Sequence, residues 1–459
     1  MRNENTLPVS QRKPLAICIA ALFALAAPPA IANIVPVSNC ADSGAGSLRS
    51  AIASAVTGDT VSMIGLACSS ISLTTGAIHI LQSDLTVTAP SSKVTIDHFY
   101  TAPSDRILVH NGAGNLILNN LNVTHGYASG SNGAVNGGCI YSAGTLTLNS
   151  SRVTSCRVAV VAGTVNDHAQ GGGVFSKKGL NLNNSQLSFN TAYANPGRSY
   201  GGGAYSVGFF NATDSTVSYN VSQATVPGAT RGYAGGLLLS GGSTITGSTI
   251  AKNVANSAGG GVLIPGNTAN YFTNSTISGN TAENSVGGLL GLNGGIYLEH
   301  TTIAFNTDGG ATFSGKQLSA GFTAYAHNNL IDLGLTATII SNNTSNAAPS
   351  DFRAVNGNTP AKVVNVSGAN NLIYNSVGPI PSGTINGCPL LGALKNNGGP
   401  TWTHALMSHS PAIDQRSASL SFDQRGSPFV RMSNGTADIG AFEVQQNDTI
   451  FTTEFEGCP

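Results

Sequence analysis

The chain has 459 residues, of which 9% are charged and 41% are hydrophobic, and its formal net charge is zero. This charged fraction is far below the roughly 25% of an average globular domain. The chain also has no basic stripe or arginine-rich arm, which argues against nucleic acid as a partner. The apolar residues recur in register between many Gly, Asn, Ser and Thr residues, so neither a disordered chain nor a helical bundle is expected.

Residues 1–32 have the composition of a secretory signal peptide. Arg2 and Lys13 lie in a positively charged start, residues 15–27 are apolar, and Ala30 and Ala32 are small residues of the kind found at cleavage sites. No later segment reaches the length of a transmembrane helix. We therefore expect an exported protein that is extracellular or displayed at the cell surface.

A short amphipathic helix is predicted over residues 47–57. Ser47 is placed to be its N-cap, and Gly58 is placed to end it. The apolar face of this helix comprises Leu48, Ala51, Ile52, Ala55 and Val56. We predict that it caps the first turn of the fold, since open sheet ends invite aggregation. The alternative, a lipid-binding surface helix, is disfavoured because its polar face has few lysines.

Six cysteines remain after the predicted signal peptide, and an even number in an exported chain allows disulfides. Cys40 and Cys68 bracket the predicted cap and form the preferred pair. Cys139 and Cys156 could close a single turn, or could stay as buried thiols. The partners of Cys388 and Cys458 are left open. No cysteine or histidine spacing suggests zinc, and no metal or cofactor is predicted.

A glycine cluster followed by a short strand recurs seven times, which is the signature of a stacked repeat. The clusters are Gly137-Gly138, Gly171 to Gly173, Gly201 to Gly203, Gly235-Gly236, Gly259 to Gly261, Gly287-Gly288 and Gly309-Gly310. An aliphatic residue flanked by polar ones recurs once in each repeat, at Val123, Val153, Leu187, Val217, Ile250, Ile277 and Ile303. This alternation predicts short strands with one buried face that pair edge to edge along a ladder.

An asparagine follows the aliphatic position by three residues in five repeats. These residues are Asn190, Asn220, Asn253, Asn280 and Asn306. Asparagine tolerates left-handed backbone angles, so we expect a column of asparagines at one corner and glycines at another. The pattern predicts an all-β fold, a right-handed parallel β-helix of about ten turns, with handedness taken from the usual chirality of parallel crossovers.

Both ends of the chain resemble known families. The segment NCADSGAGSLRSAIASAVTGDTV is similar to the start of exported bacterial β-helix proteins. The segments GANNLIYN, PLLGALKNNGGPTWTHALMSHSPAID, DQRGSPFVR and ADIGAFE resemble the choice-of-anchor Q domain. The resemblance implies a secreted or surface-displayed β-helix of the pectate-lyase-like superfamily, and it carries over no established catalytic residue.

Five segments are predicted along the chain. They are a signal peptide (1–32), a cap with the first turns (33–100), the β-helix repeats (101–385), a choice-of-anchor Q-like module (386–445) and a C-terminal tail (446–459). Within the module, Asp423, Arg425, Asp438 and Glu443 are expected to form an internal ion-pair network. Trp402 is expected to pack in the module rather than bind sugar.

No catalytic set stands out in the sequence. Asp308 follows Asn306-Thr307 in the manner of a polygalacturonase-type signature, but the other elements of that signature are absent, so a turn residue is the preferred interpretation. Asp332 could lie one or two turns away from Asp308, but nothing in the sequence fixes the direction of its side chain. His125, His168 and His300 are expected to be solvated loop residues.

A strip of aromatic and basic residues near the glycine corners is the better indication of function. It comprises Tyr200, Tyr205, Tyr233, Arg198 and Arg231. Such a strip could stack on sugar rings and donate hydrogen bonds, although ordinary edge-strand tyrosines are the simpler explanation. The sequence thus predicts a non-catalytic protein for adhesion, glycan binding or envelope structure, with a polysaccharide as a possible partner. The alternative is a polysaccharide lyase or glycoside hydrolase with a diverged lateral site, and the oligomeric state is left open.

Overall fold

The computed structural model describes residues 32–98, 105–227, 229–416, 418, 420–446 and 458. These residues wind into a parallel β-solenoid of about 11 turns, so the predicted all-β parallel β-helix is confirmed, with slightly more turns than expected. Residues 1–31 of the predicted signal peptide, and most of the C-terminal tail, lie outside the described residues. The predicted boundaries at residues 100, 385 and 445 stay predictions.

A full turn crosses up to five sheets, which we number 1 to 5 in the order in which the chain enters them. The turn that starts at residue 145 consists of Thr145–Asn149, Arg152–Thr154, Arg157–Val161, His168–Gln170 and Val174–Ser176. The chain then returns to sheet 1, where Gly179–Asn183 pairs in parallel with Thr145–Asn149, residue for residue.

The strands of the described chain fall into these five sheets as follows. Sheet 1 contains Ile34–Pro36, Thr60–Ser62, Leu85–Thr88, Asn115–Asn119, Thr145–Asn149, Gly179–Asn183, Phe209–Thr213, Ser243–Thr246, Ala269–Thr273, Gly294–Glu299, Ile331–Thr336 and Val364–Ala369. Sheet 2 contains Ser70–Leu73, Val94–His98, Leu121–Thr124, Arg152–Thr154, Gln186–Ser188, Thr216–Ser218, Thr249–Ala251, Thr276–Ser278, Thr302–Ala304, Ile339–Ser341 and Leu372–Ile373. Sheet 3 contains Tyr127–Gly130, Arg157–Val161, Thr191–Asn195, Val221–Val226, Val254–Ala255, Thr281–Ala282, Thr307–Asp308, Thr344–Ser345 and Ala348–Pro349, with Ala229–Thr230 paired at its side. Sheet 4 contains Ala134–Asn136, His168–Gln170, Arg198–Tyr200 and Gly232–Tyr233. Sheet 5 contains Ile78–Ile80, Leu108–His110, Ile140–Ser142, Val174–Ser176, Ala204–Ser206, Leu237–Leu239, Val262–Ile264, Leu289–Gly291, Phe322–Tyr325, Phe352–Val355 and Ser376–Val377.

The repeating aliphatic position lies at the middle of the sheet 2 strands and faces the interior. Val217, Ile250 and Ile277 are paired in register on successive strands, and each is at most 2% exposed. Burial of one such side chain contributes roughly 1.5–3 kcal/mol. The ladder predicted from the sequence is therefore the core of the solenoid.

The asparagine column lies at the corner between sheets 2 and 3, and its side chains point inward. The side-chain amide of Asn220 donates to the side-chain oxygen of Asn253 at 2.9 Å, and that of Asn253 donates to Asn280 at 2.9 Å. The left-handed backbone angle belongs to the residue before each asparagine, such as Tyr219 at φ 57° and Lys252 at φ 56°. The corner was predicted correctly, but the asparagines serve as hydrogen-bonding groups, and their predecessors make the turn.

The glycine clusters face this column across the interior. A Cβ on Gly173 would lie 2.9 Å from Cγ of Asn190, so only glycine leaves room for the amide. In the preceding turn the same pair of positions is occupied by Cys139 and Cys156, with the same spacing of 17 residues. There a disulfide replaces the packing of glycine against asparagine.

Three disulfides cross-link the described chain. Cys40–Cys68 and Cys139–Cys156 form as predicted, with Cα–Cα distances of 6.2 and 5.4 Å. The pair that was left open, Cys388 and Cys458, also bonds, at a Cα–Cα distance of 5.8 Å. This third disulfide ties the C-terminal end of the chain back to the region where the predicted module begins.

The predicted capping helix is present but shorter than expected, at Leu48–Ser54. Ser47 is its N-cap and accepts the backbone N–H of Ser50 at 3.2 Å. The helix ends before Gly58 because Ala55 adopts an extended conformation and the carboxylate of Asp59 takes the next backbone N–H, that of Val56, at 2.9 Å. Among the described residues no helix is long and apolar enough to span a bilayer.

The described residues between 389 and 446, which we call the C-terminal module, fold back along the outer face of sheet 2. Thr276 donates to the side chain of Gln424 at 2.6 Å, and the backbone N–H of Ala441 donates to the hydroxyl of Thr302 at 3.0 Å. An apolar cluster that includes Ile339 of sheet 2 and Phe442 of the module packs between the sheet and the module. The module therefore covers sheet 2 over the later turns and leaves the earlier turns open.

The four residues that were predicted to form an ion-pair network lie together in the module, joined by an ion pair and by backbone hydrogen bonds to carboxylates. Asp423 and Arg425 form an ion pair at 2.8 Å, the backbone N–H of Asp438 donates to the carboxylate of Glu443 at 2.7 Å, and that of Glu443 donates to Asp423 at 2.9 Å. Arg431, which the sequence did not single out, is fully buried and donates to the backbone oxygen of Gly440 at 3.0 Å. These contacts are internal to the module.

Asp351 closes the asparagine column at its C-terminal end. It accepts the side-chain amide of Asn343 at 2.9 Å and the backbone N–H of Asn375 at 3.0 Å. Burial raises the pKa of this carboxyl from 3.8 to about 7. A pKa raised on folding stabilises the native state at low pH, and that stabilisation is lost as the pH rises.

We accordingly expect the thermal unfolding midpoint to fall as the pH rises from about 4 to about 7. Asp351→Asn, which cannot titrate, is expected to flatten this dependence, as measured by thermal unfolding at closely spaced pH values. Equal slopes in the variant and the wild type would assign the pH dependence to other groups.

Candidate functional site

A cleft of about 460 Å³ opens on the outer face of sheet 2, directly beside the exposed edge of the C-terminal module. We call it the Trp402 trough. Its lining residues are Lys93, Ser151, Arg152, Asn184, Ser185, Gln186, Asp214, Thr216, Ser218, Tyr219, Thr249, Ala251, Lys252, Leu394, Pro400 and Trp402. It begins where the module stops covering the sheet.

The floor of the trough is one outward-facing ladder of sheet 2. Arg152, Gln186, Thr216 and Thr249 occupy equivalent positions on four successive strands. Alternation along each strand sends these side chains outward, while their neighbours face the core. The floor is therefore polar and regular, with one rung about every 4.8 Å.

Two corners with left-handed backbone angles form the side walls. Lys93 and Asp214 lie at the corner between sheets 1 and 2, at φ 67° and 50°. Tyr219 and Lys252 lie at the corner between sheets 2 and 3. The ring of Tyr219 stacks on that of Phe189 at 4.9 Å, and the ammonium of Lys252 lies 5.3 Å from the Tyr219 ring centroid.

Trp402 closes one end of the trough. Its backbone oxygen accepts the hydroxyl of Thr249 at 2.7 Å and the side-chain amide of Gln424 at 3.1 Å, whereas its side chain is 46% exposed. The expectation that Trp402 packs within the module is therefore wrong. The backbone is anchored on sheet 2, and the ring is left available to a ligand.

The trough carries an excess of positive charge, with the three cations Lys93, Arg152 and Lys252 against the one carboxylate of Asp214. Burial, and then the nearby charge of Arg152, lower the pKa of Lys93. Burial raises the pKa of Asp214. Lys93 donates to the backbone oxygen of Ser150, so its ammonium is held in place beside a like charge.

The tyrosines predicted as a sugar-binding strip come together in the structure. Tyr200 and Tyr233 stack on neighbouring strands of sheet 4 with ring centroids 5.6 Å apart, and Tyr205 lies on sheet 5 with its ring edge against Phe175. All three are half-buried and pack on one apolar cluster.

Each arginine of the strip lies two residues before a tyrosine of the stacked pair, Arg198 before Tyr200 and Arg231 before Tyr233. Arg198 interacts with the hydroxyl of Tyr200, whose pKa is raised chiefly by burial. Arg231 directly precedes the strand Gly232–Tyr233 and donates its backbone N–H to the oxygen of Ala224 at 2.8 Å. The binding role of the strip stays a prediction.

The two aspartates considered for catalysis lie on different sheets. Asp308, on sheet 3, is 7% exposed and accepts hydrogen bonds from the backbone of Val286 and the hydroxyl of Ser345, at 2.8 and 2.6 Å. Asp332 is exposed on sheet 1. Among the described residues no group of three or more acidic, histidine or cysteine side chains could hold a metal ion.

Two of the three histidines expected in solvated loops lie elsewhere, and the first of them, His168, is half-buried on the sheet 4 strand His168–Gln170. His300 is fully buried, and burial together with Arg431 and Arg416 lowers its pKa to about 3. The expectation of solvent exposure fails for His300 because the C-terminal module folds over this turn.

Sequence reasoning missed the trough because a distant segment completes it. Thr249 and Trp402 are 153 residues apart, and nothing in the repeat pattern indicates where the module docks. One signal was present. Phe189, Tyr219 and Lys252 each directly precede an asparagine of the column, so the repeat alignment alone places them on one corner.

Comparison with known proteins adds little to this description. No family model and no curated protein matches the chain. The chain is similar to a crystal structure of pectate lyase Pel9A, with 14% sequence identity and a TM-score of 0.41. The alignment covers 90% of this chain and 96% of the pectate lyase chain. The fold assignment rests on the strand pairing of the chain itself.

Proposed function

We propose that the protein is an exported β-helix that binds an acidic polysaccharide in the Trp402 trough without cleaving it. The observation that carries this proposal is the excess of positive charge within one cleft beside an exposed tryptophan. Adhesion or envelope structure are the cellular roles that such binding would serve. Export and the likeness to the choice-of-anchor Q domain are part of the proposal.

Charge and shape both favour an extended anionic chain. Lys93 and Arg152 repel each other, so an anion between them would remove an unfavourable interaction as well as add a favourable one. Arg152, Gln186 and Thr216 of the floor can form hydrogen bonds with hydroxyl groups along a chain, whereas the hydroxyl of Thr249 donates to Trp402. The ring of Trp402 can stack on the apolar face of a sugar, as aromatic rings with one wet edge commonly do.

The lining of the trough argues against hydrolysis. Hydrolysis by the common mechanisms needs two carboxyl groups about 5–10 Å apart, and the residues that line the trough include Asp214 as their one carboxylate. A lyase is the second candidate, favoured by the lowered pKa of Lys93 beside Arg152. A lysine of this kind could take the proton next to a uronate carboxylate.

The test uses the mature chain, residues 33–459, with polygalacturonate and its fully methyl-esterified form. We expect the charged polymer to bind and the ester to bind at least tenfold more weakly. Arg152→Gln with Lys252→Gln is expected to weaken binding about tenfold or more, equivalent to about 1.4 kcal/mol, and to reduce its salt dependence. Lys177→Gln with Lys178→Gln is the matched control, because it removes two positive charges as well and both lysines are exposed on another face.

Trp402→Ala is expected to weaken binding about tenfold with little change in thermal stability, because the side chain is exposed. Val430→Ala, an equally exposed position on the module, is its control. Equal affinity of the Trp402→Ala and wild-type proteins would exclude the trough as the binding site. If Tyr205→Ala with Tyr233→Ala weakened binding instead, the tyrosine strip would be the site.

A further inference from the structure

A second aromatic surface lies on the outer face of sheet 1, away from the Trp402 trough. Tyr271 and Tyr297 occupy facing positions on neighbouring strands. Their rings stack with centroids 5.0 Å apart and an interplanar angle of 16°. Tyr271 is 47% exposed, so solvent reaches a large part of this pair.

Two glycines create the space that the Tyr297 ring occupies. A Cβ on Gly295 would lie 2.7 Å from Cε2 of Tyr297, and a Cβ on Gly334 would lie 2.8 Å from its Cδ1. The ring therefore leans over two positions that have no side chain. Gly334 occupies the next position after Tyr271 and Tyr297 in the same outward ladder. The stack of rings ends there because glycine has no side chain.

An open depression of about 500 Å³ begins at this point, with Tyr297 in its wall. Polar side chains of Asn328, Asn329, Asp332 and Lys362 surround it. The backbone N–H groups of Asn328 and Asn329 both donate to the side-chain oxygen of the buried Asn293, each at 2.9 Å. Asn293 thus holds the loop in place, and the exposed side-chain amides of Asn328 and Asn329 line the depression together with Tyr297.

The charges of the depression differ from those of the trough. One carboxylate, Asp332, stands against one ammonium, Lys362, so the lining has no net charge. Asp332 is exposed and accepts the side-chain amide of Asn365 at 3.2 Å. A carboxylate and amides beside an aromatic ring can accept and donate hydrogen bonds to hydroxyl groups, whereas the carboxylate would repel an anionic sugar.

We propose that this depression is a second carbohydrate site, which takes a neutral pyranose of a polysaccharide chain. The apolar face of the sugar stacks on the ring of Tyr297, which Tyr271 supports from the side away from the depression, and its hydroxyl groups bond to Asn328, Asn329 and Asp332. The inference goes beyond the trough, because the two sites lie on different sheets and favour different charges. A protein with both sites can connect an acidic polysaccharide to a neutral one.

The test titrates the mature chain with three neutral probes, maltohexaose, cellohexaose and mannohexaose, by calorimetry. We expect at least one of them to bind. Tyr297→Ala is expected to weaken that binding at least tenfold, with little change in thermal unfolding because the side chain lies on the outer face of sheet 1. Asp332→Asn is expected to weaken it less and to leave the fold intact. Thr244→Ala, an exposed outward position one strand earlier in the same ladder, is the matched control.

Separate variants distinguish the two sites. Arg152→Gln with Lys252→Gln should leave neutral binding unchanged, and Tyr297→Ala should leave polygalacturonate binding unchanged. The inference is overturned if none of the three probes binds, or if Tyr297→Ala binds the probe as well as the wild type. Loss of neutral binding in the trough variant would also overturn it, since the sugar would then occupy the trough.

Discussion

Ile250→Asp is expected to destabilise the solenoid by about 4 kcal/mol or more. Ile250 is 2% exposed and lies between Val217 and Ile277 in the central ladder of sheet 2. The substitution removes an aliphatic contact with both neighbouring turns and places a carboxylate within the buried apolar cluster of the solenoid. Because each turn is stabilised by its neighbours, the damage should spread along the stack.

The measurement is thermal unfolding followed by circular dichroism. Thr244→Asp is the matched control, because Thr244 lies in the same turn on the outer face of sheet 1 and is exposed. The control should unfold within a few degrees of the wild type. If Ile250→Asp did so as well, the assignment of this position to the interior would be wrong.

Asn253→Ala is expected to cost about 3–5 kcal/mol, an unusually large loss for a polar residue. Asn253 donates to the backbone oxygen of Val217 at 3.0 Å and accepts the side-chain amide of Asn220 at 2.9 Å. With alanine at position 253, the backbone oxygen of Val217, the side-chain amide of Asn220 and the side-chain oxygen of Asn280 would each lose one hydrogen bond. Each unsatisfied buried group costs roughly 1–3 kcal/mol.

Asn166→Ala is the control for this substitution, because Asn166 is exposed in a loop. Hydrogen exchange of the turns around residue 253 would locate the damage as well as measure it. We expect faster exchange in Asn253→Ala at the corner between sheets 2 and 3. Protection equal to that of the wild type would mean that the column contributes little to stability.

The repeat pattern determined most of the solenoid in advance. Hydrophobic alternation located the Ile250 ladder, and the residue spacing located the corner that contains Asn253, because each feature recurs over several successive turns. The preferred disulfide, Cys40–Cys68, followed from position along the chain, whereas Cys139 and Cys156 were candidates for either a disulfide or buried thiols. The role of the asparagines was harder to predict, because a residue type that favours left-handed backbone angles can also serve as a buried hydrogen-bonding group.

The binding surfaces were harder to predict because they depend on which parts of the chain meet. The Trp402 trough exists only because the C-terminal module folds back onto Thr249, and that docking relies on polar contacts such as Gln424 with Thr276. The depression beside Tyr297 depends on the missing side chain of Gly334, which is one glycine among 57 in the sequence. Neither contact has a periodic signature.

The most direct test of the account is an equilibrium titration of residues 33–459 with polygalacturonate, with polymer length followed in the same samples, with and without calcium. We predict saturable binding that Trp402→Ala weakens about tenfold, while the polymer keeps its length throughout. Shortening of the polymer would contradict the non-catalytic proposal and direct attention to Lys93 and Arg152. Absence of binding would contradict the acidic-polysaccharide site itself.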